Sequence, residues 1–357
     1  MKRLWSPALI LCICLLLSGC DYWYQSSYIH VSPHKIPSYG PQTEKMEVSN
    51  YEGLLVALTD LVEDVSSGGT IFYPKESAAT VKGYMETAIQ SVLQTNPIAG
   101  YAVEEITFEV GQKSSVQAVA VNITYHRNTS DVRRLSKVES MQEAAQMVYT
   151  ALDRFDVSTA FYVSDYKQTD FVQLAQDYVD RNPDVCMEMP QVTAAAYPQE
   201  GQERIVEVVF SYQNSREDLR NMQKDVADIF ESAQMYVSSG ANNRKKYEQL
   251  YSFIMLNYNN NTLRTSITPS YSLLKHGVGD SKAYATVYAA MCAHAGLNCS
   301  VITGTKDAQV YYWNAIEQGD GYVFVDLLDC AESRRFSMRR LEKMKNYVWD
   351  YSAYPGQ

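Results

Sequence analysis

Two stretches of this chain repeat each other, and the repetition limits the folds open to it more than any other feature. VNITYHRNTSDVRRL (121–135) aligns with VVFSYQNSREDLRNM (208–222). With Tyr125 on Tyr212, Asp131 falls on Asp218, Val132 on Leu219, Arg133 on Arg220 and Leu135 on Met222. Upstream, LQTNP (93–97) corresponds to VDRNP (179–183) and TIFYP (70–74) to TAFYV (159–163), at an offset that stays between 86 and 89 residues. Several anchors at one offset indicate two related modules. Two copies are too few for a solenoid, which is stabilised by stacking several repeats.

Each copy reads in the same order. A helical pattern, YEGLLVALTDLVEDV (51–65) or SMQEAAQMVYTALDRF (140–155), precedes a short strand. A second helix follows, TVKGYMETAIQSVLQ (80–94) or DFVQLAQDYVDR (170–181). Two strands finish the unit, EEITFEV with VQAVAVNITY and CMEMPQVTAAAY with ERIVEVVFSY. AVAVNITY and RIVEVVFSY alternate with a period near two, the pattern of a half-buried antiparallel hairpin. The loops GQKSS and PQEGQ supply turn residues. Each module is therefore expected to be α+β, with helices on one face of a small sheet. Neither copy holds a nucleophile, metal cluster or phosphate loop, so both read as binding or spacer modules.

A third helix over about 218–237 ends in SSGANN (238–243), a boundary signal, and KKYEQLYSFIMLNY opens the C-terminal domain. There GDSKAYA (279–285) begins a helix through Ala295. Tyr284, Val287, Tyr288, Met291, Cys292 and Ala295 share one face, and Gly296 supplies the stop. Asp280 or Ser281 is placed to cap the first amides. The segments 299–304, 311–316 and 322–326 read as strands, with GDG (319–321) as a turn.

This order of elements resembles the transglutaminase-like, papain-like fold, whose members show C-x-G-Y-A at a helix start, H-A-W-N on one strand and W-Y-x-V-D on the next. Here S-K-A-Y-A (281–285), Y-Y-W-N (311–314) and Y-V-F-V-D (322–326) occupy those places, and Gly304 matches the strand-end glycine. The resemblance covers about residues 241–330. It implies a Cys-His-Asp triad in which Asp326 survives, Ser281 stands for the cysteine and Tyr311 for the histidine. A serine hydroxyl needs a general base. A phenol with an ordinary pKa of about 10 is not one near neutrality, and Asp326 would push it higher.

Other groups give little help. Lys282 points about 100° around the helix from Ser281, and His294 lies about 20 Å along it. His126 belongs to the first module, and Cys292 reads as core. His276, on the loop HGVGD, is the one alternative base. No catalytic residue is therefore expected. In that reading Ser281 caps the helix, and Tyr311 fills the imidazole volume and bonds Asp326, since a buried phenol needs a partner. A cleft that still binds peptide, glycan or peptidoglycan, an acyl-transferase or hydrolase using Ser281, and a structural subunit of an envelope assembly remain the alternatives.

The first residues bear on location. Lys2 and Arg3 precede a short apolar run that ends in Leu17-Ser18-Gly19-Cys20, a signal-peptide pattern. The tetrapeptide resembles the bacterial lipobox, which implies lipidation at Cys20 and a membrane anchor held by acyl burial. Asp21 resembles an inner-membrane retention signal. Residues 1–19 are thus expected as a leader and 20–46 as a tether carrying three prolines, with modules over 47–134 and 135–222 and a linking helix plus C-terminal domain over 223–357. The expected site is the extracytoplasmic face of a bacterial membrane.

Without Lys2 and Arg3 the chain has 29 basic against 41 acidic side chains, which argues against nucleic acid as a partner. Cys186, Cys292, Cys299 and Cys330 show no metal spacing. Neither a metal nor a cofactor is expected. Buried free thiols are the plainer expectation, with Cys299–Cys330 the disulfide considered.

Overall fold

The computed structural model describes residues 46–356, excepting 75, 114–115 and 258–268. The expected leader, Cys20 and all of the tether but Met46 lie outside the described residues. Three four-stranded sheets organise what is described.

The first unit runs β1 (Met46–Glu47), α1 (Tyr51–Glu63), β2 (Gly68–Tyr73), α2 (Ala78–Thr95), α3 (Pro97–Ala102), β3 (Val103–Lys113) and β4 (Val116–Tyr125). The second runs β5 (Ser136–Val138), α4 (Met141–Asp153), β6 (Ser158–Val163), α5 (Phe171–Arg181), β7 (Gln191–Tyr197) and β8 (Arg204–Ser211). Strand orders β1-β2-β4-β3 and β5-β6-β8-β7 are equivalent, each with one parallel pair at the edge. The registers also correspond. Met46 faces Ile71 as Ser136 faces Phe161, and Ile71 faces Val119 as Phe161 faces Val206.

That register corrects one anchor of the sequence alignment. Ile71 is equivalent to Phe161, so TIFYP set against TAFYV is one residue out. Side chains alternate across a strand, so a single slip exchanges faces. Tyr73 is fully buried, whereas Tyr162 is half-buried and lies between the core residues Phe161 and Val163. Two boundaries move as well. GQKSS is not a loop throughout, because the β3–β4 ladder continues to the pair Lys113–Val116. Cys186–Pro190 lies outside the strand, and the buried Glu188 carboxylate there accepts from the Asn214 amide and side chain at 3.1 and 2.7 Å.

Local chemistry explains why α1 and α4 begin and end alike. Asn50 accepts from Gly53 N at 2.8 Å and Ser140 from Glu143 N at 3.2 Å, each satisfying an amide the helix cannot. At the far ends Ser66 N bonds Leu61 O and Asp156 N bonds Ala151 O, both at 2.9 Å, closing a six-to-one turn. The residue before each is left-handed, Val65 at φ 52° and Phe155 at φ 54°. For such bulky residues this costs about 1–2 kcal/mol, which their burial offsets.

These two residues also join successive units. Val65 packs with Tyr101, Val132 and Ile205, which bridge the first and second units. Phe155 enters the C-terminal core beside Leu219 and Phe230. Between the first two units, Arg127 forms a bidentate pair with Glu207 at 2.8 and 2.7 Å and lies 4.0 Å over the Tyr101 ring.

The C-terminal core draws on a helix that crosses the expected boundary at residue 222. Helix α6 (Arg216–Tyr236) is continuous across residue 222, and Leu219, Val226, Phe230 and Ala233 enter the C-terminal core. It packs with α7 (Asn243–Asn257), α8 (Pro269–His276) and α9 (Ser281–His294). Helix α9 is not the amphipathic helix its apolar stripe suggested, because Ala283–Tyr288 and Ala290–Cys292 are all buried.

The C-terminal sheet has the order β11 (Gly321–Val325), β10 (Gln309–Gln318), β9 (Ser300–Lys306), β12 (Tyr347–Val348), antiparallel throughout. Ile302, Trp313, Phe324, Met344, Tyr347 and Trp349 form a separate aromatic cluster in this domain. Gly304 admits no side chain, since a Cβ would fall 2.3 Å from Val348 O and 2.6 Å from the Trp313 ring.

Candidate functional site

Asp280, rather than Ser281, caps α9, because its carboxylate accepts from Ala283 N at 3.0 Å. The expectation that Ser281 caps the helix is therefore corrected. Strand β11 ends at Val325, opposite Asn314, so the amide of Tyr312 has no strand partner on that side. Ser281 Oγ accepts it at 3.3 Å. One residue further, Lys282 leaves the site altogether and pairs with Asp180 of α5 at 2.7 Å. Asn314, fully buried, donates to Ala285 O at 2.9 Å and ties β10 to the helix.

Asp326 directly follows β11 and caps helix α10 (Leu327–Glu332). Its Oδ1 accepts from Leu328 N at 3.0 Å, Asp329 N at 3.1 Å and the Tyr311 hydroxyl at 3.2 Å. Its Oδ2 accepts from Lys306 Nζ at 3.0 Å and the Tyr347 hydroxyl at 2.6 Å. Five donors thus converge on a carboxylate that is 1% exposed. Lys306 also pairs with Asp329, which takes Arg339 at 2.6 Å and Tyr347 at 3.0 Å. Two cations balance two anions, and the ammonium sits 4.6 Å over the Tyr311 ring and 5.2 Å over Tyr347.

The electrostatics follow from this packing. Burial pushes the Tyr311 phenol well above the ordinary tyrosine range, and Asp326 and Asp329 push it further. Burial and the same carboxylates raise Tyr347. Burial alone would lower Lys306, but hydrogen bonds to Asp329 and Asp326 hold it above the usual lysine value. Asp329 is held below the usual carboxylate value, since Lys306, Arg339 and Tyr347 outweigh its burial. Tyr311 is therefore a hydrogen-bond donor and not a base.

The space enclosed by Ser281, Tyr284, Tyr312, Asn314, Asp326 and Leu328 has no volume for a water-sized molecule. His276 makes an edge-on contact with Tyr271, with 6.1 Å between ring centroids, and among the described hydrogen bonds none joins it to Ser281. His294 bonds Asp184 at 2.8 Å and packs on Phe230. Cys292 lies in the core, as do Cys186 and Cys330, while Cys299 is half-exposed; all four are free thiols. Among the described residues no cluster of three or more His, Cys, Asp or Glu side chains is placed to hold a metal ion.

Sequence reasoning brought Ser281, Tyr311 and Asp326 to one region of the domain and missed Lys306, Asp329, Arg339 and Tyr347. Lys306, Arg339 and Tyr347 have no local signal, since they lie on segments that reach Asp326 only through the fold. A larger space opens elsewhere, a cleft of about 780 Å³ between the first two units, lined among others by Glu63, Asn96, Arg133, Lys137, Tyr162 and Glu203.

Against known proteins, the Transglutaminase-like superfamily matches residues 231–328, and the chain carries a transglutaminase-like domain there. The crystal structure of a TGase is 8% identical with a TM-score of 0.25, over 54% of this chain and 58% of that one. A candidate cysteine protease from Cytophaga hutchinsonii is 10% identical with a TM-score of 0.27, over 45% of this chain and 65% of that one. In both cases the alignment spans less than two thirds of the other protein. No curated protein matches the sequence.

Proposed function

We propose that this chain is a lipid-anchored extracytoplasmic protein of a bacterial membrane, in which a non-catalytic transglutaminase-like domain and two copies of one α+β module serve binding or scaffolding. The observation that carries the reading is the commitment of Asp326. A triad carboxylate must orient a base, whereas here it is spent on Lys306, two tyrosines and the start of α10. Ser281 has no base among its described hydrogen-bond partners, and the space it encloses with Tyr284, Asn314 and Asp326 has no volume for a water-sized molecule. Activation of its hydroxyl would need both.

Equivalent strand order, matching registers and the shared left-handed helix stop support an origin of the two units by duplication. The polar cleft between them is roomier than the old catalytic groove and supports ligand binding there, with peptide and glycan the classes that mixed carboxylate, ammonium and tyrosine side chains accommodate. Among the described residues no helix is long and apolar enough to cross a membrane. Anchoring in this reading rests on Cys20.

The test has two arms. Purified wild type and Ser281→Ala are compared for amine incorporation into glutamine peptides and for hydrolysis of peptide and wall fragments. Equal, background-level rates are expected, and turnover lost in Ser281→Ala would overturn the non-catalytic assignment. Membrane fractionation of Cys20→Ser tests the anchor, and retention of that variant in the membrane would remove it.

A further inference from the structure

We propose that Cys292 and Cys299 are a dithiol that closes to a disulfide by exchange with a disulfide oxidant entering at the surface depression beside Cys299. Cys292 lies in the last turn of α9 and is fully buried. Gly296, at φ 69°, reverses the chain, and Leu297 N returns to Cys292 O at 2.9 Å. Two residues later Cys299 packs on the same core, half-exposed, immediately before β9. The return of Leu297 to Cys292 thus carries Cys299 back beside the last turn of α9, onto the core that holds Cys292.

The loop is held in place for this. Tyr247 donates to Asn298 O at 2.7 Å, and Tyr288 donates to Tyr247 O at 3.0 Å from the turn of α9 preceding Cys292. Outside, a depression of about 300 Å³ lined by Ala293, Leu297, Asn298, Cys299, Ser300 and Ala315 gives an approach to Cys299. Among the described cysteines the other two are otherwise placed. Cys330 donates to Ser337 O at 3.7 Å, and Cys186 lies in the core of the second unit.

Exposure sets the order of steps. The Cys299 thiolate attacks one sulfur of the oxidant RS–SR, forming a mixed disulfide and releasing RSH. Cys292 then loses its proton and attacks Cys299 Sγ, forming the internal bond and releasing the second RSH. Two protein thiols are oxidised by two electrons and the oxidant is reduced to two thiols. The closed bond ties the end of the buried helix to the first strand of the sheet. It does not depend on what the cleft binds.

The test uses the full chain in detergent, reduced with dithiothreitol or oxidised with glutathione disulfide, then alkylated with N-ethylmaleimide and mapped by mass spectrometry. Oxidation should remove two alkylation sites and yield one peptide pair linked through Cys292 and Cys299. It should also raise the thermal midpoint by roughly 5 °C, a shift absent from Cys299→Ser. Cys292→Ser should instead keep one glutathione on Cys299. Should that variant not fold, the linkage map of the wild type decides alone. Four freely alkylating thiols after oxidation, a stable glutathione adduct on wild-type Cys299, or a bridge to Cys330 or Cys186 would each overturn the proposal.

Discussion

Lys306 Nζ lies 3.0 Å from Asp326 Oδ2, while the Tyr311 hydroxyl bonds the other oxygen, Oδ1, at 3.2 Å. Lys306 is on β9 and Asp326 at the end of β11, so the pair crosses the sheet beneath the Tyr311 ring. It decides more about the site than the identities of Ser281 and Tyr311 do. Putting Cys at 281 and His at 311 together would still leave Asp326 bonded to Lys306. The double variant Ser281→Cys/Tyr311→His is therefore expected to show no amine incorporation above background. Turnover in that variant would mean Lys306 gives way easily.

Removing Lys306 should be costly. Lys306→Met leaves Asp326 without a cation and Asp329 with Arg339 alone, and breaking a largely buried pair costs about 3–5 kcal/mol. Urea denaturation should show that loss, with part of it recovered when Asp329→Asn is added. A loss below about 1 kcal/mol would show that the network contributes little.

The same network sets a pH dependence. The native Asp329 carboxyl titrates below its unfolded value, so its stabilisation is fully present above about pH 4 and is lost as pH falls through the native value. Asp329→Asn should flatten the acid limb of a stability–pH curve. At the alkaline end the sign reverses in origin. Tyr311 and Tyr347 stay protonated when folded but ionise in the unfolded chain, so stability should fall above about pH 10. Tyr347→Phe should shrink that alkaline slope, and an unchanged slope would argue against its burial.

Gly304→Ala should destabilise the C-terminal domain by about 1–3 kcal/mol, the cost of forcing a methyl into filled space. The contact is with the Val348 carbonyl and the Trp313 ring, and the carbonyl cannot rotate away. Thermal unfolding would read it, with loss of Trp313 near-ultraviolet dichroism as the local signature.

Arg127→Ala should loosen the first unit from the second. It removes the bidentate pair with Glu207 and the packing over Tyr101, worth about 1–2 kcal/mol together. Hydrogen exchange in β8 and faster proteolysis between the units should report it, while the C-terminal core exchanges as before.

Much of this was legible from local signals. Helix starts at Asn50 and Ser140, the stop at Gly296 and the alternation in β4 and β8 each depend on neighbours within a few residues. The hydrogen bond from Tyr311 to Asp326 was also foreseeable, because adjacent strands joined by a tight turn bring the two together. What failed did so for physical reasons. Pairing the two FY dipeptides followed identity, but identity is blind to a one-residue slip that swaps the inner and outer faces. Choosing between Asp280 and Ser281 as cap needed the amide of Tyr312, thirty-one residues away, which draws the serine off.

By itself, then, the sequence determined the elements, the repeated order of the first two units and the serine and tyrosine that stand at positions 281 and 311 of the third. Propensity, capping and periodicity act over a few residues, and a linear reading contains them. Only the tertiary structure decided that Lys306 and Tyr347 occupy Asp326 and that the space between Ser281, Tyr284 and Asp326 is filled. Those outcomes depend on strands β9 and β12 meeting at a register that the core of Trp313, Tyr347 and Trp349 selects. Side-chain volume and charge balance in a buried site are settled only when distant segments close on it.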